Sequence, residues 1–492
     1  MTRTFNIKII FKTMGILLII EAFFMAIATL VSWLYKETCF EIFLYCSLFT
    51  FIIGLWGYFS GLKAPKTVGE REGYVIVAAV WLIFSVFGLL PYYLSGSVDN
   101  ITDAWFETMS GFTTTGATIL PDVEKLEHGI LFWRALTQWL GGMGIIVLSI
   151  AILPIFGMSG MQLYAAEVTG VSYEKLSPRL STTAKYLWTT YVILTLSEVG
   201  LLWLEGMPLF DSVCHSLSTI ATGGFSTKNA SISHYANPLI HYTVAFFMLI
   251  SAINFAMFIY MSMGKGKKIL HDEETKWYLS AVGLFTLVLT CGLFLQNWGS
   301  EMSIGQNLEQ SFRFSFFTTV TTMTSSGFML ADYMQWITVL WVIVFFLMFP
   351  GGSSGSTAGG IKWVRIIIFV KSGVNEFNKR IHPNAVLPVK LNGKVVNQQT
   401  INNVMAFLFL YILILMSSIL VLCGLGVTFD EAIGAAVSAI GNIGPGLGQY
   451  GPTATFATFP TVGKWILTFV MLLGRLEIFT ILILFTKTLW KK

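Results

Sequence analysis

Four stretches decide the architecture: DAWFETMSGFTTTGAT from Asp103 to Thr118, DSVCHSLSTIATGGFS from Asp211 to Ser226, FSFFTTVTTMTSSGFM from Phe314 to Met329, and EAIGAAVSAIGNIGPG from Glu431 to Gly446. Aligned without gaps, they share one glycine each: Gly116, Gly224, Gly327 and Gly444. A hydroxyl residue stands at one fixed place upstream of it: Ser110, Ser218, Thr321 and Ser438. Three stretches open on an acid, Asp103, Asp211 or Glu431; the third opens on Phe314. The pattern recurs at intervals of roughly 110 residues, each time between two long apolar runs, which reads as a fourfold internal repeat.

Each stretch predicts a short helix of about ten residues, some 15 Å long, which enters a bilayer without crossing it. The acid is expected to cap the helix start and complement its dipole. The other end carries partial negative charge and favours a cation near the bilayer centre. The glycine then permits backbone angles that other residues avoid. Irregular backbone at membrane depth is tolerated only inside protein or beside water. Four such loops around one axis would therefore form a ring of carbonyl oxygens able to replace an ion's hydration shell. The expected ion-facing residues are Thr114, Thr115 and Gly116; Thr222, Gly223 and Gly224; Ser325, Ser326 and Gly327; and Asn442, Ile443 and Gly444. Oxygen donors with no carboxylate suit a large monovalent cation better than Ca2+ or Mg2+.

The composition agrees. Of 492 residues, 55% are hydrophobic and only 11% charged, against about 25% charge in soluble domains. This excludes a soluble globular protein, a disordered chain and a nucleic-acid binder, and a net charge of +4 argues for no acidic partner. Apolar runs long enough to cross a bilayer lie near 14–35, 39–62, 74–95, 129–157, 185–204, 238–263, 277–297, 336–370, 401–425 and 462–489. The first is longer than a signal-peptide core and reads as a retained anchor. Basic residues concentrate in alternate loops (Lys63, Lys66 and Arg71; Lys175, Arg179 and Lys185; Lys265, Lys267 and Lys268; Lys371, Lys379, Arg380, Lys390 and Lys394) and in the tail. Both termini are therefore expected in the cytoplasm, with the four quoted stretches outside.

The expected fold is an all-α polytopic membrane protein. Four pseudo-symmetric units of membrane helix, pore helix, filter loop and membrane helix surround one pore, with two extra N-terminal membrane helices. The division is 1–73 for those two helices, 74–180, 181–275 and 276–400 for the first three repeats, and 401–492 for the fourth. The connection 371–400 reads as the longest cytoplasmic loop, followed by 158–184.

The run 336–370 is broken by Pro350-Gly-Gly-Ser-Ser-Gly-Ser-Thr-Ala-Gly-Gly360. Proline and dense glycine end a helix, so this break should line a cavity. Residues 351–355 also fit the G-x-S-x-G hydrolase elbow, but that motif needs a preceding strand with His and Asp partners. Arg475 lies within the last apolar run. An arginine there must face protein or water, either paired with Glu477 or Glu198 or beside an ion path. Glu198 is read as a helix-packing group with a coupling role as the alternative, Glu21 has no assigned role, and His215 reads as structural. The five cysteines form no CxxC pair and read as buried membrane-helix residues. Asn100-Ile-Thr and Asn229-Ala-Ser are sequons given no weight.

At TTTGAT, ATGGFS, SSGFM and GNIGPG the sequence resembles the filter loops of the Trk/Ktr/HKT superfamily of potassium transport proteins. GGMGIIVLSIAILP (141–154) and FPGGSSGSTAGGIK (349–362) resemble its hallmark membrane segments, and the two extra N-terminal spans resemble the TrkH-type bacterial subunits. The resemblance covers essentially the whole chain. It implies K+ uptake across a bacterial inner membrane, a homodimer, and a cytosolic nucleotide-binding regulator of the TrkA type, with no cofactor beyond the transported ion. It also implies that Gly351, Gly352, Gly355, Gly359 and Gly360 belong to an intramembrane gate loop beneath the filter, with Arg475 against it. Two other readings remain: a symporter coupling K+ to H+ or Na+, whose carriers often show inverted rather than same-direction repeats, and an intramembrane enzyme, for which no His/Asp/Ser constellation is present.

Overall fold

The computed structural model describes residues 5–64, 69–142, 180–264, 266–299 and 303–490. The N-terminal helices Ile7–Leu34 and Cys39–Ser60 form an antiparallel hairpin. Its seam is made of glycine: an added Cβ on Gly15 would stand 2.5 Å from the Gly54 carbonyl oxygen, so only small residues let the backbones approach this closely. The hairpin is tied to the start of helix His128–Gly142 by reciprocal capping. Glu37 accepts the Gly129 N–H at 2.9 Å, while Glu127 accepts the Cys39 N–H at 2.8 Å. The rings of Phe5 and Trp490 lie 5.8 Å apart, bringing the two ends of the chain to one side.

Among the described residues, six helices are long and apolar enough to span a bilayer: Ile7–Leu34, Cys39–Ser60, Arg71–Leu94, Thr182–Leu204, Glu273–Gln296 and Gln398–Gly424. Four of these match the expected first helix of each repeat. The expected spans 238–263 and 462–489 are not continuous. Helix Pro238–Ser251 turns by 94° into Phe255–Ser262, and Thr461–Arg475 turns by 109° into Phe479–Phe485. The second break runs through Glu477 and Ile478, both at positive φ. The apolar run 336–370 is also divided, into helices Thr338–Leu347 and Trp363–Ile381 around the glycine-rich segment. The expected span 129–157 is described as far as Gly142; its remainder, with most of the hallmark segment at 141–154 and the loop at 158–184, lies outside the described residues.

Four half-helices lie between the paired spans: Ile101–Phe112, Leu209–Ile220, Ile304–Met323 and Phe429–Gly441. The acids Asp103, Asp211 and Glu431 occupy the first turn of theirs rather than the cap. There they still complement the dipole, and Asp103 also receives Lys464 Nζ at 2.6 Å. Asn100 caps the first half-helix through Thr102 N. The third is longer than expected because it starts at a Ser303/Gln306 capping box, well before Phe314. Phe314 is therefore mid-helix, which accounts for its missing acid. Helix Trp363–Ile381 runs into the expected loop 371–400, and strands Lys390–Leu391 and Lys394–Val395 form a small antiparallel hairpin. Of the cysteines, Cys39, Cys46 and Cys214 are buried, whereas Cys291 is exposed on its helix and Cys423 is half-buried.

Candidate functional site

Behind each half-helix the chain makes the same turn. The residue two before the shared glycine adopts the left-handed region: Thr114 at φ 54, Thr222 at 55, Ser325 at 53 and Asn442 at 53. The glycine follows at φ 79, 80, 78 and 103 for Gly116, Gly224, Gly327 and Gly444. The residue between them donates its N–H to the carbonyl of the matched upstream hydroxyl residue. These bonds are Thr115 to Ser110, Gly223 to Ser218 and Ser326 to Thr321 at 2.9 Å, and Ile443 to Ser438 at 3.0 Å. The register read from the sequence is thus a repeated backbone geometry.

The four turns meet. A Cβ added to Gly116 would stand 2.0 Å from the Gly223 oxygen, one on Gly224 2.1 Å from Ser326 O, one on Gly327 2.0 Å from Ile443 O, and one on Gly444 2.7 Å from Thr115 O. Each glycine Cα therefore lies against the peptide oxygen that precedes the next loop's glycine. The order runs from first to second to third to fourth and back to first, so the oxygens close a ring. All four glycines also line one cavity of about 150 Å3, with Arg134 and Lys228 in its wall.

Two buried groups above the ring were not singled out from sequence. Arg134 Nε reaches Glu107 Oε1 at 2.8 Å, with both side chains almost wholly buried. Glu107 also accepts Thr118 Oγ1 at 3.0 Å and Ile119 N at 2.9 Å, and Arg134 donates to Ser226 O at 3.1 Å. The pair locks the exits of loops one and two together. The intramembrane-charge rule applied to Arg475 would have found Arg134 in GILFWRALTQWL and Lys464 in TVGKWILTF. Farther out, Asn229 Nδ2 donates to Asp122 at 2.7 Å. That bond, with Lys125, holds the Asp122 carboxyl below the usual range. The sequon asparagines Asn100 and Asn229 are thus both in structural use. His215 is likewise structural, bonded to Asp211 O at 2.7 Å and Ser226 Oγ at 2.9 Å.

On the opposite side of the ring lies the glycine-rich segment. Its base is closed by Gly351 N to Ile361 O at 2.9 Å and Ile361 N to Phe349 O at 3.0 Å. Gly355 and Gly360 supply positive φ, at 74 and 67. Gly359 N donates to Ser325 Oγ at 2.5 Å, and Thr357 Oγ1 donates to Ile220 O at 3.1 Å. The segment thus sits against the ends of the second and third half-helices. Near the fourth, an added Cβ on Gly359 would stand 2.4 Å from Gly441 O, and Gly351 and Gly352 are equally hemmed in by Gly359 O and the Ala358 Cβ. Ser353 N bonds Ala252 O at 2.8 Å and Phe255 N bonds Gly355 O at 3.1 Å. The groups freed where the span 238–263 breaks are therefore satisfied by this segment.

Arg475 crosses beneath. Its guanidinium donates to Thr357 O at 2.8 Å, to Gly142 O at 2.8 Å and to Gly141 O. Glu477 pairs with Arg365, which also stacks on Phe407 at 3.8 Å. Glu198 is wholly buried beside the second half-helix, with Thr219 next to its carboxyl. Glu21 is wholly buried within the N-terminal hairpin, and among the described residues its carboxylate has no hydrogen-bond partner.

Helices that span, half-helices that do not, and a ring of peptide oxygens between them define a polytopic helical membrane transport protein. A family model described as TrkH, cation transport protein, matches residues 42–492. The Trk system potassium uptake protein TrkH of Escherichia coli (strain K12) is 38% identical over 490 residues, covering 99% of this chain and 100% of that one. Its counterpart in Vibrio parahaemolyticus serotype O3:K6 is 36% identical over 494 residues, covering 98% and 99%. The crystal structure of the potassium transporter TrkH from Vibrio parahaemolyticus matches with a TM-score of 0.87 at 33% identity, covering 99% of this chain and 100% of that one. The chain belongs to the TrkH family, a family of transport proteins and not of enzymes.

Proposed function

We propose that this protein takes up K+ across a bacterial inner membrane by channel-like passage through the ring of loop oxygens. The observation that carries this is the closed cyclic order of four glycines against four neighbouring peptide oxygens. An arrangement of that kind presents oxygens around one axis at one level, as a dehydrated monovalent cation requires. In this reading Thr114, Thr115, Gly116, Thr222, Gly223, Gly224, Ser325, Ser326, Gly327, Asn442, Ile443 and Gly444 form the filter. In the same reading the four repeats run over 74–180, 181–275, 276–400 and 401–492. Segment 350–360 and Arg475 form the gate, supported by the hydrogen bonds that seat one on the other. Both termini face the cytoplasm, in keeping with the loop charges and with the meeting of Phe5 and Trp490. The homodimer and a TrkA-type nucleotide-binding regulator rest on the family.

The test is 86Rb+ uptake into liposomes holding the purified protein, with and without an imposed proton or sodium gradient. Uptake driven by the Rb+ gradient alone, and competed by K+ far better than by Na+, is expected. Strict dependence on a proton or sodium gradient would overturn the channel-like reading in favour of symport.

A further inference from the structure

Each of the four ring loops is held in place, and not by the same means. In loops one and three the residues flanking the left-handed turn carry hydroxyls that bond each other: Thr113 with Thr115 and Thr324 with Ser326, both at 2.8 Å. In loop four Asn442 Nδ2 reaches Met471 O at 2.9 Å and Thr115 Oγ1 at 3.0 Å. Loop two has Ala221 and Gly223 at the hydroxyl positions and two glycines in succession. That is the loop with the most backbone freedom and the fewest side-chain ties of its own.

Its tie comes from another repeat. Gln138, wholly buried on helix His128–Gly142, donates Nε2 to Gly223 O at 2.6 Å and accepts the Phe225 N–H on Oε1 at 3.1 Å. One carboxamide therefore brackets Gly224 on both sides. Only a group with a donor and an acceptor side by side can do this, and the two partners fix which end is nitrogen. Gly223 O is also the ring oxygen that faces Gly116. A carbonyl has two lone pairs; Gln138 takes one and leaves the other free. The bracket accounts for the double glycine in ATGGFS as well. A Cβ at Gly223 would stand 2.4 Å from Gln138 Cδ, so residue 223 must be glycine for the carboxamide to fit.

We infer that Gln138 is a positioning residue for ion selectivity: it fixes the direction of the Gly223 carbonyl and so sets one quarter of the ring. This rests on the reading of the ring as a cation filter. The loss of two buried hydrogen bonds is expected to weaken discrimination about tenfold without closing the path.

The experiment compares wild type with Gln138→Leu and Gln138→Met in liposomes, reading 86Rb+ uptake against rising external Na+. In the variants, the Na+ concentration that halves uptake should fall about tenfold, while uptake without Na+ stays close to wild type. Gly223→Ala alone should also lose discrimination, and combining it with Gln138→Ala should be no worse than either change, because removing the carboxamide relieves the clash. Wild-type discrimination in whichever of the Leu and Met variants elutes as a single species would overturn the inference, as would additive losses in the double variant. Absence of 86Rb+ uptake by the wild type would instead count against the filter reading itself.

Discussion

Serine in place of Gly224 should abolish discrimination between K+ and Na+, whereas the same change at Gly444 should mainly cost stability. At Gly116, Gly224 and Gly327 the backbone has φ of 78–80, where an L-residue is disfavoured by about 1–2 kcal/mol. The added Cβ would also stand 2.0–2.1 Å from a neighbouring ring oxygen. Contacts under 3.0 Å are essentially never seen for real Cβ atoms, so that oxygen must withdraw by about 1 Å, at an overpacking cost of about 1–3 kcal/mol. The combined strain, about 2–5 kcal/mol, is of the same size as the roughly 2.7 kcal/mol that separates two ions by a factor of 100. At Gly444 the oxygen is 2.7 Å away and has only about 0.3 Å to yield, while φ of 103 places the strain in loop four's own backbone.

The assay is 86Rb+ uptake against external Na+ for each of the four Gly→Ser variants, paired with thermal melting in detergent. Na+ should compete strongly in the variants at Gly116, Gly224 and Gly327. The Gly444→Ser protein should melt early yet retain more discrimination. Equal discrimination at all four positions, or a worse loss at Gly444 than at Gly224, would refute the ring as the selective element.

Arg475→Ala should raise 86Rb+ uptake several-fold, because it removes charge-assisted bonds worth about 1.5–3 kcal/mol each that tie Thr357 O to Gly141 O and Gly142 O; unchanged or slower uptake would refute a gating role. Gly359→Ala should also raise basal uptake, since its Cβ would meet Gly441 O at 2.4 Å and unseat the segment; uptake kept at the wild-type level would show that the segment does not close the path. Arg134→Met leaves Glu107 buried without its cation and should destabilise the protein by about 3–5 kcal/mol, seen as early melting in detergent. Much of that loss should return in Arg134→Met combined with Glu107→Leu, and a double variant as unstable as the single one would contradict the pairing.

The loops were legible because all four solve one backbone problem. A left-handed residue, a peptide bonded back to the half-helix, and a positive-φ glycine leave the same trace in sequence each time. The breaks in the second helices of the second and fourth repeats were not. Ala252, Ile253 and Asn254 contain neither proline nor glycine, and the turn through Arg475 and Ile478 contains neither as well. The first break exists because Ser353 and Gly355, about a hundred residues away, satisfy the freed groups, and no local propensity records that. The long third half-helix was half-legible: Ser303 and Gln306 spell a capping box, but the repeat alignment drew attention to Phe314 instead. Arg134 and Lys464 each leave only a single charge inside an apolar run, because the acid that pairs with each is distant in sequence. Their partners Glu107 and Asp103 both lie in the first half-helix, Ile101–Phe112.

The ring's two sides differ in who satisfies its surroundings. Above it, the peptide oxygens border a cavity. Below it, the carbonyls of Ile220, Ala252 and Thr357, the paired Gly141 and Gly142, and the Ser325 hydroxyl are all engaged. Among the described residues their donors come from two elements: the N–H and hydroxyl groups of segment 350–360, and the Arg475 guanidinium. A cation leaving the ring in the proposed direction needs oxygens of the same kind to replace lost water. Arg475 already holds three of them and carries the charge that a passing ion would bring. In the proposed reading guanidinium and ion compete for one set of acceptors, so that a single positive charge is stabilised there at a time. Opening then requires no new chemistry. In the proposed reading it requires the segment to carry Thr357 O away from Arg475, and the guanidinium in turn to leave the Gly141 and Gly142 oxygens to the ion. A neutral side chain at 475 removes the competitor and the tie in one step, so its effect on flux should exceed that of loosening the segment at Gly359, which leaves the charge in place.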